Sequence, residues 1–180
     1  MTKSFSEEIK RRAEIIDVLV LDVDGVLTDG RIIIDDRGRE SKHFNVRDGH
    51  GIKMLLKTGI EVVFLTGRKS RVVAHRAQDL GVREVYQGAR DKVMIFEGML
   101  LKKKIKADQV AYMGDDVVDI PLFRIAGLSI AVADACEEAR EAAHFVTEKE
   151  GGMGAVREVC EMILRARGKW EEITMRYTFK

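Results

Sequence analysis

Apolar residues along this chain come either in short unbroken runs or at helical spacing, and the two patterns take turns. The run VLVL at 18–21 has no polar position and reads as an interior strand. In order, the pattern predicts a short amphipathic helix over 4–14, a strand over 17–23 and a β-hairpin over 30–46 turning at DDRG. A helix over 48–59 stopped by Gly59, a strand over 60–67 and a helix over 69–81 closed by Gly81 follow. Next come a short strand within 82–88, a helix over 91–104, a strand over 109–116, and a helix over 118–127 with Pro121 tolerable in its first turn. A strand over 128–134, a helix over 135–143, a strand over 144–147 and an amphipathic helix from 154 complete the series, ahead of a tail over 169–180.

Strands alternating with helices imply one α/β domain over residues 1–180, a doubly wound, Rossmann-like parallel sheet with helices on both faces. Such sheets bind ligands at the carboxyl ends of their strands. With 31 basic and 30 acidic residues the formal net charge is +1, so no overall field favours nucleic acid or an anionic membrane. The N-terminus has charges where a secretory signal has its apolar core, and no apolar run approaches a membrane span. Two cysteines, Cys136 and Cys160, suggest no disulfide framework, and a cytoplasmic location is expected. The four histidines are scattered and match no zinc spacing. The basic run LKKKIK at 101–106 reads as a solvated helix end.

The chemistry lies just past the strands. Asp22 and Asp24 end the first strand in DVDG, and burying a carboxylate costs several kcal/mol unless it is paired or holds a metal. Thr28 follows them; the second strand ends in Thr66, Gly67 and Arg68. Lys92 lies past the third, and the fourth runs into Asp115, Asp116 and, further on, Asp119. Parallel strands bring these ends to one edge, where clustered carboxylates repel unless a hard cation sits among them. Oxygen ligation without histidine suits Mg²⁺. Each motif alone also reads as a cap, a turn or a solvated lysine; all of them on one edge is far less expected by chance.

The motifs DVDGVLT, TGR, Lys92 and GDDVVD resemble, in order, the four motifs of the haloacid dehalogenase-like phosphatases. FNVRDGHGIKML, YQG, VAYMGDDVVDIP, GLSIAVADA and GGMGAVREVCEMIL extend that resemblance to the 3-deoxy-D-manno-octulosonate 8-phosphate phosphatases, from residue 17 to about 169. The resemblance implies a Mg²⁺-dependent phosphoric monoester hydrolase acting in lipopolysaccharide precursor synthesis. It implies Asp22 as the nucleophile that forms an aspartyl-phosphate, and Asp24 as general acid and then base. Mg²⁺ would be held by Asp22, the Asp24 backbone carbonyl and Asp115, with Asp116 orienting the metal's surroundings or Lys92. Thr66 and the Gly67 amide would hold phosphate oxygens, and Lys92 would offset charge. The sugar acid would be read by Asn45, Val46, Arg47, Asp48, Gly49, Lys53, Arg68 and Arg76, the last two placed near one face of the helix after the second strand. Lys53 and Met153 stand where the family often has Arg, which bears on the choice of sugar.

No insertion is long enough for a cap domain, so the hairpin is the only flap. The resemblance implies a homotetramer whose hairpins associate and whose sites are completed by neighbours, with the GGMG-to-Lys180 region able to reach one. Two alternatives stand beside this reading. One is a phosphatase of a related nine-carbon sugar acid. The other is a phospho-accepting receiver domain, against which the DVDGVLT order argues.

Overall fold

The computed structural model describes residues 5–177. A six-stranded sheet carries the core: β1 (Val18–Leu21), β4 (Glu61–Thr66), β5 (Glu84–Gln87), β6 (Val110–Gly114), β7 (Leu128–Ala131) and β8 (Phe145–Val146). Their spatial order is β5-β4-β1-β6-β7-β8, and every pair is parallel. The first strand in sequence therefore lies inside the sheet, with β4 on one side and β6 on the other. The chain winds outward through β4 and β5, crosses back to β6, and winds outward the other way. That reversal opens a crevice beyond the carboxyl end of β1. All four β1 side chains are buried because helices cover both faces.

Helices α1 (Glu7–Glu14), α2 (Val46–Lys57) and α7 (Ala155–Ala166) pack together on one face. Helix α3 (Arg71–Leu80) joins α2, while α4 (Lys92–Lys103), α5 (Ile120–Phe123) and α6 (Glu137–Ala142) form a second group. Ser6, Asn45, Ser70 and Asp91 cap α1, α2, α3 and α4, each accepting a backbone N–H in the first turn. Two strands of two residues, β2 (Ile33–Ile34) and β3 (Glu40–Ser41), make the expected hairpin. The Asp35 carboxylate accepts the amides of Arg37 and Arg39 at its turn.

Three expectations are corrected. The helix expected over 118–127 is a 3-10 turn, Val117–Asp119, followed by the single-turn α5. Asp119 spends its carboxylate on the amides of the preceding loop, so the segment begins as a tight turn. Arg68 sits in the loop before α3, not on the helix with Arg76. The closing helix ends at Ala166, and Gly168 turns the chain (φ 63°) into a further helix, α8 (Trp170–Thr174). Trp170 and Ile173 pack on the core of their own chain, with the Arg165 guanidinium 4.1 Å above the Trp170 ring. The final residues of the tail, 178–180, lie outside the described residues.

The GGMG segment braces the β1 loop: Gly152 N–H donates to the Val26 carbonyl at 2.9 Å. At Gly151 an added Cβ would fall 1.7 Å from the Gly25 carbonyl oxygen, so only glycine fits this approach. Gly98, inside α4, has open space around its Cβ position. Gly151→Ala is therefore expected to cost about 1–3 kcal/mol of unfolding free energy. Gly98→Ala should leave stability equal or raise it by about 0.5–1 kcal/mol. Denaturant unfolding of both variants checks the contrast.

Candidate active site

The β1–β6 ladder runs one residue past β1, with Asp22 N–H donating to the Met113 carbonyl at 3.0 Å. This fixes Asp22 at the crevice, where it is only 7% exposed. The chain then turns back on itself, the Val23 carbonyl accepting the amides of Val26, Leu27 and Thr28. Gly25 takes φ +91°, and a Cβ there would overlap the Asp115 carboxylate at 2.1 Å. The glycine of DVDG thus lets the two acidic loops meet.

Lys92 opens α4 and reaches into this junction. Its Nζ lies 3.0 Å from Asp22 Oδ1, 2.6 Å from Asp119 Oδ1 and 3.2 Å from the Tyr112 hydroxyl. Tyr112 O–H donates to the same Asp119 oxygen at 2.6 Å. The other Asp119 oxygen accepts the amides of Asp115 at 3.0 Å and Asp116 at 3.3 Å. Asp119 is fully buried, and both its oxygens are occupied. It holds Lys92 in place and shapes the GDD loop. The Asp116 carboxylate is turned outward and caps the Val117 amide. The Lys92-orienting role expected of Asp116 therefore belongs to Asp119.

Burial pushes the Asp22 carboxyl up to about 6, with Asp119 adding to the rise and Lys92 opposing it. Asp115 is pushed up to about 8, first by burial and then by the charges of Asp22, Asp119 and Asp116. Burial would lower the Lys92 ammonium, but Asp22 and Asp119 outweigh it and the net shift is upward. Oxygens of Asp22, Asp115 and Asp119 all lie within 4.8 Å of one another. Such uncompensated, oxygen-only charge fits a hard divalent cation. With Asp119 committed elsewhere, Asp22 and Asp115 are the side chains placed to hold it.

A cleft of about 500 Å³ opens over these groups, lined by Asp22, Asp24, Thr66, Gly67, Arg68 and Lys92 among others. Thr66 is buried, and its Oγ1 accepts the Arg68 amide at 3.3 Å. The remaining sequence-predicted residues gather elsewhere, at the start of α2 and on α3. Asn45 caps α2 and donates Nδ2 to the Gly152 carbonyl at 3.2 Å. Arg76 donates to the Asn45 carbonyl at 3.3 Å and to Asp79 at 2.9 Å. Gly49 is buried beside the Arg76 guanidinium, and Lys53 faces Asp79 at 3.8 Å. Val46 and Arg47 are exposed. None of these lines the cleft of its own chain. Asp48 departs furthest from expectation, because its buried carboxylate turns away into α7 and accepts the Arg157 amide at 2.7 Å. Burial raises its pKa, with the amides of Arg157 and Gly154 partly offsetting the shift.

Sequence reasoning missed the hairpin stem. Glu40, Lys42 and Ser70 form an ion-pair and hydrogen-bond group with Arg68 and Asp24 at the cleft's rim. Two-residue strands carry too little pattern to tell which charges face inward.

A haloacid dehalogenase-like hydrolase family model matches residues 81–159. The chain is 47% identical over 167 residues to the 3-deoxy-D-manno-octulosonate 8-phosphate phosphatase KdsC of Escherichia coli (strain K12), covering 93% of this chain and 89% of that one. Its Yersinia pestis counterpart is 44% identical over 94% and 90% of the two chains. The chain belongs to the 3-deoxy-D-manno-octulosonate 8-phosphate phosphatase family. A crystal structure of the Moraxella catarrhalis phosphatase, in complex with magnesium ion, phosphate ion and KDO, superposes on it with TM-score 0.94 at 40% identity, covering 97% of this chain and 100% of that one. The sheet, the hairpin and the acidic centre described above are those of a Mg²⁺-using phosphatase of this family.

The raised carboxyls set a stability test for this phosphatase. An acid whose folded pKa lies above its unfolded value stabilises the fold only while protonated. For Asp115 that contribution is complete below the ordinary value of 3.8 and is lost as pH rises through about 8. A bound cation replaces the missing proton. The Mg²⁺-induced rise in Tm should therefore grow from roughly pH 5 to pH 8. In Asp115→Asn the increment should largely vanish, while the metal-free protein at about pH 8 should melt no lower than wild type. Thermal scans with Mg²⁺ or chelator check both.

Proposed function

We propose that this chain hydrolyses 3-deoxy-D-manno-octulosonate 8-phosphate to the free sugar acid and phosphate, in the cytoplasm. Cys136 and Cys160 are free thiols, in keeping with a reducing compartment. The observation that carries the chemistry is the buried Asp22–Lys92 pair at 3.0 Å on the floor of a cleft shared with Asp24 and Thr66.

In this reading Asp22 attacks phosphorus in line and forms an acyl phosphate, while the bond to the leaving oxygen breaks. Lys92 keeps the Asp22 charge beside the incoming anion bearable. Asp24 gives its proton to the leaving oxygen, then takes one from the water that attacks the phosphorus of the intermediate. Thr66 and the Gly67 amide hold phosphate oxygens. Mg²⁺, held by Asp22, Asp115 and the Asp24 carbonyl, neutralises charge on the transferring phosphoryl group.

Two features support a shared assembly. The hairpin exposes Ile32, Ile33 and Ile34 at 53%, 39% and 57%, and the second group of expected sugar-reading residues lies off its own cleft. A homotetramer that buries the hairpins and brings Asn45, Arg47, Lys53 and Arg76 to a neighbour's cleft accounts for both. Arg76 and Arg47 then meet the sugar carboxylate. A nine-carbon sugar acid is the second reading, resting on the resemblance in which Lys53 and Met153 stand where the family often has Arg.

Two experiments decide. Phosphate release should be fastest on the eight-carbon sugar-acid phosphate, need Mg²⁺, and fall by at least ~10³-fold in Asp22→Asn. A better turnover of a nine-carbon ester would overturn the substrate assignment. Asp22→Asn and Arg76→Ala chains, each inactive on this substrate, should regain activity when co-assembled, because a mixed interface rebuilds one intact site. Failure of hybrids to exceed both parents would sink the shared site.

A further inference from the structure

We propose that Lys42 is a positioning residue for the phosphatase reaction, holding the Asp24 carboxyl in the pose from which the leaving alcohol takes its proton. This rests on the reading of Asp24 as acid and base given above. Lys42 follows β3, where the hairpin residues beside it, Ser41 and His43, are exposed. Its own side chain is only 1% exposed. Lysine is almost never that buried without charged partners, since desolvating an ammonium costs several kcal/mol.

Those partners are specific. Lys42 Nζ donates to Asp24 Oδ1 and lies 3.4 Å from Glu40 Oε1. Arg68 closes the figure, its Nη2 3.2 Å from the same Glu40 oxygen and its Nε 3.7 Å from Asp24 Oδ2. Four charges alternate around a ring: Asp24, Lys42, Glu40, Arg68. The other Glu40 oxygen accepts the hydroxyl of Ser70, the cap of α3, so the ring is tied to the rigid edge of the fold.

The two cations on Asp24 are not equivalent. Arg68 is 41% exposed and sits at the long contact, where an incoming anion can compete with Asp24 for it. Lys42 is enclosed and makes the short contact. When Arg68 leaves, Lys42 still fixes Oδ1, and Oδ2 is left facing the cleft. In that state Asp24 carries its proton on Oδ2; as the bond from phosphorus to the leaving oxygen breaks, its electron pair goes to that oxygen, which takes the proton and leaves Asp24 a carboxylate paired with Lys42. A side chain that only pinned the hairpin would duplicate the Glu40–Ser70 link and would affect all substrates alike.

The test uses the full-length assembled enzyme with Mg²⁺ and two kinds of ester. A sugar or other alkyl phosphate needs a proton on its leaving oxygen; p-nitrophenyl phosphate does not. Lys42→Met should lower kcat on the sugar-acid phosphate by roughly 10–100-fold, within what a displaced general acid costs, with KM changed less than about threefold. Release of p-nitrophenolate in the first turnover should stay within about threefold of wild type, and Lys42→Arg should recover most of the lost kcat. Equal losses on both esters, a loss carried by KM, or no loss at all would overturn the proposal. Wild-type enzyme that ignores the sugar-acid phosphate but cleaves another alkyl phosphate refutes the substrate reading alone, and the variants are then compared on that ester.

Discussion

Like charges crowded at the carboxyl end of β1 are the constraint that the rest of this molecule answers to. Three carboxylates bring oxygens within 4.8 Å of one another in a place water scarcely reaches. Left alone they would repel: burial raises the Asp22 and Asp115 carboxyls first, and the neighbouring carboxylates add to the rise. The fold supplies one internal cation, Lys92, and two sets of donors on Asp119: the Tyr112 hydroxyl and the loop amides. What remains unbalanced is matched to a divalent ion. Sheet order makes this possible, because β1 lies between β4 and β6 and three motif-bearing loops open on one crevice.

The second layer of the design is the hairpin. It is too small to enclose a substrate, yet its stem sends Lys42 and Glu40 into the rim of the cleft and leaves Ile32–Ile34 facing outward. One short element thus addresses the Asp24 carboxylate on its inner side and exposes an apolar surface on its outer side. The residues proposed to read the sugar divide in a similar way, with Arg68 at the cleft and Arg76 on α3, off it.

Much of this was legible in the residues themselves. Element types and the doubly wound class followed from apolar runs alternating with helical spacing, since buried parallel strands and amphipathic helices leave different periods. Asp22, Asp24, Thr66, Lys92 and Asp115 stood at strand ends, where topology alone gathers them. What failed was finer. Asp116 and Asp119 are both acids after the fourth motif-bearing strand, and only the 3-10 turn decides which faces inward. Asp48 reads as one of a polar cluster, but packing of α2 on α7 turns it into a cap. Lys42 follows a strand too short to show alternation. In each case the deciding fact is a side-chain direction set by tertiary packing, which linear spacing does not encode.

The brace between Gly151–Gly152 and the loop at Gly25–Thr28 gives the molecule an assembly order. The loop at 25–28 is made well before residues 151–152, the segment that presses it into shape. A growing polypeptide can carry every acid of the site and still lack the strut that sets their spacing. Closing that contact spans most of the sequence, a long-range step of the kind that comes late in folding. The geometry of the acids is in this way coupled to residues 151–152, and products that stop short of them are left with the acids but not the brace.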